Sequence, residues 1–341
     1  MWFAYETLCV IWFVLLGILL TGYAVLDGFD LGVGILHLTT RDDRERRILL
    51  NSIGPVWDGN EVWLVTFGGA MLAAFPNAYA TIFSGFYTAF MLLLFALIFR
   101  AVSIEFRSKT QSAIWRRVWD IGFSVGSTLA TFLFGVAVGN AMIGIPITNM
   151  EFTGNFWGLL RPYPLLVGVF AVALFAMHGA IYLYLKTEGK LQEHVHSWMW
   201  RGFGIFLVLY MLTTIYTLAA VPAAVRNFQD HAWAWIVVVL NVLAIANIPR
   251  SIYHQKPLQA FVSSALTIVG FIFLFSIALY PNMVTAVDPA ESMTIFNSAS
   301  SAKTLFIMLI IAALGMPFVL AYTAVIYWVF RGKVQLGEHS Y

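Results

Sequence analysis

The chain has 341 residues, of which 60% are hydrophobic and only 11% are charged, and its mean hydropathy is +0.82. Soluble domains carry about 25% charged residues and 45–50% apolar ones, so this composition excludes a monomeric soluble enzyme and indicates a polytopic membrane protein. The 19 basic and 17 acidic residues nearly balance, which argues against a surface for nucleic acid. The single cysteine, Cys9, excludes an intrachain disulfide and a cysteine-ligated cluster.

Long apolar runs recur along the whole chain, and in lipid only helices satisfy the backbone of such runs. We therefore predict an all-α protein that forms one integral membrane domain over residues 1–341. The nine predicted spans cover residues 8–36, 51–75, 78–106, 113–143, 162–185, 199–221, 232–248, 258–280 and 302–330. Pro76 and Asn77 are predicted to form a tight turn between the second and third spans.

The basic residues are distributed very unevenly between the two sides of the predicted membrane. Fifteen of them fall on one side, and only Arg161, Arg226 and Lys303 fall on the other. Because basic residues favour the cytoplasmic side, this distribution predicts an N-terminus outside and a C-terminus in the cytoplasm. An odd number of spans requires the same arrangement.

Acidic side chains within the predicted spans lie toward the cytoplasmic side, and each is a functional candidate because burying it in a membrane is costly. Asp27 and Asp30 lie late in the first span, and Asp58 and Glu61 lie early in the second. A spacing of three residues puts both members of each pair on one helical face. A continuous second span would place Asp58 about 10 Å from Asn51 along the axis. From the positions of these carboxylates we predict a proton path that leads from the cytoplasm part-way into the membrane.

A structural role is the alternative for the same acids, since carboxylates can pair with Arg100 and with loop arginines to hold the helix ends. Both interpretations stay open for Asp27 and Asp30, whereas the proton role is favoured for Asp58. Ion-pair support is the predicted role of three further residues: Arg100, Glu105 and Asp120.

Histidines are the ligands that a membrane haem needs, and His178 is the only one of seven that lies well inside a predicted span. Since a bis-histidine haem requires a second interior histidine, we predict that this chain ligates no haem and no metal. His178 is expected to hydrogen-bond to its neighbours instead. The glycines Gly28, Gly32 and Gly34 are predicted to permit close helix packing rather than to bind a nucleotide.

Two classes of function fit these features. One is a secondary transporter with proton-coupled carboxylates. The other is a subunit of a membrane redox complex that supplies a proton route and structural support.

Short motifs favour the second class. The segment Asp27-Gly28-Phe29-Asp30-Leu31-Gly32-Val33-Gly34 resembles the first-span signature of subunit II of cytochrome bd-type quinol oxidases, a family that has a cyanide-insensitive branch. The resemblance continues, in order and spacing, through the motifs Asn51-Ser52-Ile53, Trp57-Asp58-Gly59-Asn60, Phe99-Arg100 and Trp115-Arg116-Arg117-Val118-Trp119-Asp120. It is dense over roughly the first 125 residues and sparse afterwards.

The resemblance implies an architecture of two four-helix bundles plus one extra helix, in the inner membrane of a bacterium. It implies a heterodimer with a subunit I that carries b-type and d-type haems, and in some relatives a small single-span accessory subunit or a structural quinone. Such a complex oxidises quinol and reduces O₂ to water with protons from the cytoplasm, which generates a proton-motive force. By resemblance, Asp58 and Glu61 are proton-pathway carboxylates, although some relatives have an amide at the position of Glu61, and no catalytic residue lies in this chain.

Overall fold

The protein, represented by a computed structural model, is described over residues 3–230 and 232–337. His231 and His339 lie outside these described residues. The helices of the described part are, in chain order, α1 (Tyr5–Leu36), α2 (Asp43–Ile53), α3 (Trp57–Ala74), α4 (Pro76–Gly85), α5 (Tyr87–Phe106), α6 (Ala113–Ile143), α7 (Pro162–Lys186), α8 (Gly189–Ala220), α9 (Ala223–Asp230), α10 (Ala234–Tyr253), α11 (Pro257–Leu279) and α12 (Ala302–Val329). Two antiparallel hairpins are formed by β1 (Ile147–Thr148) with β2 (Glu151–Phe152) and by β3 (Asn282–Val284) with β4 (Met293–Thr294).

Eight helices of the described part are long and apolar enough to cross a membrane, as an all-α polytopic protein requires. They are α1, α5, α6, α7, α8, α10, α11 and α12. The predicted ninth span rests on α3, which is not among the eight. This helix is 18 residues long and carries Asp58, Asn60 and Glu61 in its first two turns.

The second predicted span begins later than the sequence suggested. Residues 51–53 end the amphipathic helix α2, and Gly54 and Pro55 lie in the turn before α3 starts at Trp57. Helix α2 also takes up residues 43–47, which were predicted as a loop, and the Asp42 side chain caps it by accepting a hydrogen bond from the backbone of Arg44. The prediction of one continuous helix from Asn51 is therefore wrong.

Other predicted boundaries also move. The third predicted span is two helices, α4 and α5, and Pro76 is the first residue of α4, a position where its missing N–H costs nothing. Helix α8 starts at Gly189, ten residues before the predicted start, so His194 and His196, which fall between two predicted spans, lie on a helix. Helix α10 continues through Pro249 to Tyr253 although the prediction ended it at residue 248.

The core lies around α1 and α7. Helix α1 packs against α3, α6, α7, α11 and α12. It crosses α7 where two glycines meet, because a Cβ atom at Gly179 would lie 2.5 Å from the carbonyl carbon of Gly32. The predicted packing role of Gly32 agrees with this crossing. Helix α12 is peripheral, since Leu305 is its one buried residue.

Candidate functional site

The two acids of α1 lie in the protein interior, at the same end of the helix. The side chains of Asp27 and Asp30 are completely buried. Asp27 accepts two hydrogen bonds from the guanidinium of Arg100 on α5, from Nη2 at 2.6 Å and from Nη1 at 3.3 Å. Arg100 is itself completely buried, so this is a desolvated bidentate ion pair of the strong kind.

Arg100 also binds Glu61, one member of the second predicted acid pair. Its Nη1 atom donates to the Oε1 atom of Glu61 on α3 at 2.6 Å. The Glu61 side chain keeps 24% of its surface exposed. One guanidinium thus faces two carboxylates, and when both carboxylates are ionised the three groups together carry one excess negative charge. A single proton would neutralise that excess.

Asp30 belongs to a separate chain of hydrogen bonds. The amide Nδ2 of Asn60 donates to Asp30 Oδ2 at 2.6 Å, and the hydroxyl of Tyr327 on α12 donates to Asn60 Oδ1 at 2.8 Å. The other carboxylate oxygen of Asp30, Oδ1, is buried without a hydrogen-bond partner among the described residues. A buried acceptor of this kind favours a water molecule or a proton at that position.

Asp58 is not buried inside a helix, as the sequence suggested, but exposed near the start of one. It is in the first turn of α3, and its side chain is exposed on a face that also carries Val62, Val65 and Leu72. The sequence predicted one helix from Asn51, which would have placed Asp58 about two turns from the start of that helix. The structure instead puts Asp58 on the surface of this chain, one turn before Glu61 on the same helix.

Asp120 is the centre of a second ionic cluster, which joins the ends of four helices. Its carboxylate accepts from Arg107 Nε at 2.6 Å and from Arg46 Nη1 at 2.8 Å, and it lies 2.6 Å from Nε2 of His37. Arg107 also donates to Asp43 at 2.8 Å. Because Asp120 is almost completely buried among these donors, the geometry matches an ion-pair support of the helix ends. Glu105 lies partly exposed near the end of α5.

His178 lies inside α7 with both ring nitrogens in hydrogen bonds. Nε2 is 3.1 Å from the carbonyl oxygen of Val25, and Nδ1 is 2.8 Å from the hydroxyl of Ser264. A carbonyl only accepts, so Nε2 carries the proton, while Nδ1 lies next to a serine hydroxyl that also contacts the carbonyl oxygen of Phe261 at 2.9 Å. The ring is also stacked on Phe261. Both ring nitrogens of this histidine are therefore engaged by groups of the same chain, and the described residues form no metal-binding group of three or more suitable side chains.

Comparisons with known proteins fit this arrangement. The family model described as cytochrome bd terminal oxidase subunit II matches residues 8–330. The cytochrome bd-I ubiquinol oxidase subunit 2 of Escherichia coli (strain K12) is 37% identical over 97% of this chain and 96% of its own length. The cytochrome bd ubiquinol oxidase subunit 2 of Bacillus subtilis (strain 168) is 33% identical over 96% of this chain and 97% of its own length.

The chain belongs to the cytochrome bd terminal oxidase subunit II family. A solved structure of the bd oxidase from Geobacillus thermodenitrificans has the same fold, with a TM-score of 0.79, 18% sequence identity, and coverage of 95% of this chain and 98% of that chain. As a member of this family, the chain is one subunit of a bd-type terminal oxidase and acts in catalysis as part of that complex. The resemblance found in the sequence motifs is confirmed.

Sequence reasoning about this family member found the acids but not most of their partners. Asn60 binds Asp30, Tyr327 binds Asn60, and the side chains around Asp120 are His37, Arg46 and Arg107. Only the density of basic residues in the short loops after α1 and α5 hinted at the second cluster. Nothing in the local sequence around Tyr327 pointed to Asn60, which is 267 positions away.

Proposed function

We propose that this chain is subunit II of a heterodimeric bd-type quinol oxidase in the inner membrane of a bacterium. In this proposal subunit I carries the b-type and d-type haems, and the complex oxidises quinol and reduces O₂ to water. The protons come from the cytoplasm, so turnover generates a proton-motive force. The proposal also includes a small accessory subunit and a structural quinone. For these two components it rests on the resemblance alone.

The proposed location of the haems in the partner subunit is supported by the state of His178. Both of its nitrogens are engaged within the chain, so the only interior histidine that the sequence offered does not fit a haem. Haem iron supplies electron transfer and O₂ chemistry when it is bound. The proposed role of this chain is to support the partner and to move protons.

The proposed topology has nine spans, with α3 as the ninth. At 1.5 Å per residue, 18 residues reach about 27 Å, close to the roughly 30 Å of a hydrocarbon core. The excess of basic residues on one side supports a cytoplasmic C-terminus. A reporter that is active only in the cytoplasm should work when it is fused after Val334 and stay silent when it is inserted near Asp288. The opposite pattern would refute this topology.

The proposed proton route begins at Asp58. A carboxylate on the lipid-facing side of a helix is costly, so the exposed face of α3 is better explained by contact with the partner subunit or by a water-filled cleft. Glu61 follows one turn along the same helix and retains partial exposure. Protons would pass from Asp58 to the cluster of Glu61, Arg100 and Asp27, whose one excess negative charge can hold a proton.

Asp30 is the proposed side branch of the route. Its Oδ1 atom has no hydrogen-bond partner among the described residues, so it can accept a hydrogen bond from a water molecule or take up a proton. Asp30 lies one turn after Asp27 on α1. Asp58 remains the residue that carries the proposal, because it is exposed on the surface of this chain one turn before Glu61, which contacts the buried Arg100. A proton-coupled transporter is the competing function, and no specific observation favours it over family membership.

The test replaces Asp58 by asparagine in the assembled complex. Asp58→Asn keeps the shape but cannot ionise, so the complex should assemble with a normal haem spectrum while O₂ reduction slows by about tenfold or more. Asp58→Glu should recover part of the rate. Asp230→Asn, which removes another exposed carboxylate at the end of α9, is the matched control and should leave the rate unchanged.

Two results would contradict the proposed role. Unchanged turnover in a fully haem-loaded Asp58→Asn complex would refute it, provided that the triple variant with Asp27→Asn and Asp30→Asn is also unchanged. Loss of haem in proportion to the loss of rate would indicate instead that Asp58 only holds the structure.

A further inference from the structure

An apolar groove runs along the outer surface between α5 and α6, and we call it the α5–α6 groove. Its volume is about 440 Å³. Its lining includes, from α5 and α6, the residues Leu92, Phe95, Phe99, Ile121, Val125 and Leu129. Several of these side chains are about half exposed, among them Phe95 at 53% and Val125 at 55%. The groove is therefore open along its length and faces away from the bundle.

The dimensions of the groove indicate what fits into it. On α6 it extends from Val118 to Leu129, which is roughly 16 Å at 1.5 Å per residue. A groove of this length, lined by apolar side chains, can hold an extended hydrocarbon chain along α6.

A second apolar groove continues the first toward α7. It shares Val125 and Leu129 with the α5–α6 groove and reaches Phe132 on α6 and Val172 on α7. The combined length along α6 is roughly 21 Å, somewhat more than the roughly 15 Å depth of one leaflet. A single acyl chain that enters from one membrane surface would follow this path to the middle of the bilayer.

The mouth of the groove carries positive charge and a polar donor. Arg117 is exposed one turn before Ile121 on the same face of α6, and Lys109 is exposed at the adjoining end of α5. Trp119 lines the groove, and its indole Nε1 has no hydrogen-bond partner among the described residues. Basic side chains at a membrane surface attract anionic lipid headgroups. Two acidic residues lie near this mouth in the sequence: Asp120, which is buried in its ion pairs with Arg46 and Arg107, and the partly exposed Glu105.

We propose that the α5–α6 groove binds one acyl chain of an anionic phospholipid, whose phosphate lies beside Arg117 and Lys109. The hydrocarbon chain covers the exposed aromatic and aliphatic side chains, and the headgroup neutralises the basic mouth. The proposed lipid site requires only that the chain lies in a membrane. It can therefore be tested independently of the proposed proton route. An isoprenoid tail with a neutral head would satisfy the groove but not the charges.

The test measures bound lipid on the purified two-subunit complex by native mass spectrometry. After detergent washing, the complex is offered phosphatidylglycerol or phosphatidylcholine in separate arms. The wild type should bind one added phosphatidylglycerol molecule tightly, and it should bind phosphatidylglycerol in preference to phosphatidylcholine. Arg117→Gln should weaken that preference about fivefold, because one basic residue near the surface is lost.

A second variant tests the groove itself. Val125→Trp fills it with a bulky side chain from an exposed position, and should abolish the retained lipid without loss of assembly. The matched controls lie on the peripheral helix α8, where Val208→Trp and Arg201→Gln change an exposed apolar and an exposed basic residue. Both controls should bind lipid as the wild type does.

Three results would overturn the proposal. Retention of the same lipid by Val125→Trp would mean that the groove is not its site. Equal binding of phosphatidylglycerol and phosphatidylcholine would remove the role of the basic mouth. If Val125→Trp fails to assemble, Arg117→Gln decides, since an unchanged lipid preference in that variant is incompatible with the proposed headgroup contact.

Discussion

Removal of the Arg100 guanidinium is the sharpest perturbation that the ionic cluster offers. Arg100→Met keeps much of the side-chain volume but leaves Asp27 buried and without its counter-ion, and it also releases Glu61. Breaking a buried pair by removing one partner costs about 3–5 kcal/mol, because the remaining charge stays desolvated. That corresponds to a loss of roughly two to four orders of magnitude in the folding equilibrium constant.

The assay is the thermal stability of the purified, haem-loaded oxidase complex, followed by loss of haem absorbance. Arg100→Met should lower the apparent melting temperature by on the order of 10 °C, or prevent assembly. The double variant Arg100→Met with Asp27→Asn should be more stable than Arg100→Met alone, because the uncompensated buried charge is gone. Arg201→Met, at an exposed site on α8, should leave the melting temperature unchanged.

Rescue by the second substitution separates an ionic role from mere packing. If Arg100 only fills space, Asp27→Asn should add its own loss to that of Arg100→Met, and the double variant should be the least stable of the set. That order of stabilities, or a wild-type melting temperature for Arg100→Met, would refute the reasoning.

Two further predictions follow from the packing of the helices. Asp120→Asn should strongly reduce the yield of the haem-loaded complex, since three cationic or polar side chains face that buried carboxylate. Asp43→Asn should cost less than about 1 kcal/mol of stability, because the Asp43 side chain is 46% exposed. Size-exclusion chromatography with a haem spectrum measures both, and equal losses would contradict the assignment. Gly179→Val should prevent the α1–α7 crossing, because a Cβ atom there lies 2.5 Å from Gly32, while Gly204→Val meets nothing within 4 Å and should assemble normally. Normal assembly of Gly179→Val would show that the two helices can separate at little cost.

The sequence was sufficient for the class of the protein. A chain with 60% hydrophobic residues in long runs must satisfy its backbone within the lipid, and helices do so locally. The same reasoning marked Asp27, Asp30 and Glu61 as candidates, because an ionisable residue in an apolar run is costly wherever the helices pack. Each of these inferences needs only neighbours along the chain.

The partners of the acids were decided by the tertiary structure. Arg100 is 73 positions from Asp27 and 39 from Glu61, and His37 is 83 positions from Asp120. Helical periodicity shows which side chains share a face but not which other helix that face meets. Arg100 was therefore predicted to support ion pairs, and only the packing of α1, α3 and α5 shows which carboxylates it binds.

Asp58 shows the same limit at the level of a single helix. Its residue type and motif were evident from the sequence, but its depth depended on the assumption that residues 51–75 form one helix. The turn at Gly54 and Pro55 breaks that helix, so Asp58 falls in the first turn of α3. Whether its side chain points into the bundle or away from it follows from the side of α3 that packs on α1, and that contact is made between segments far apart in the chain.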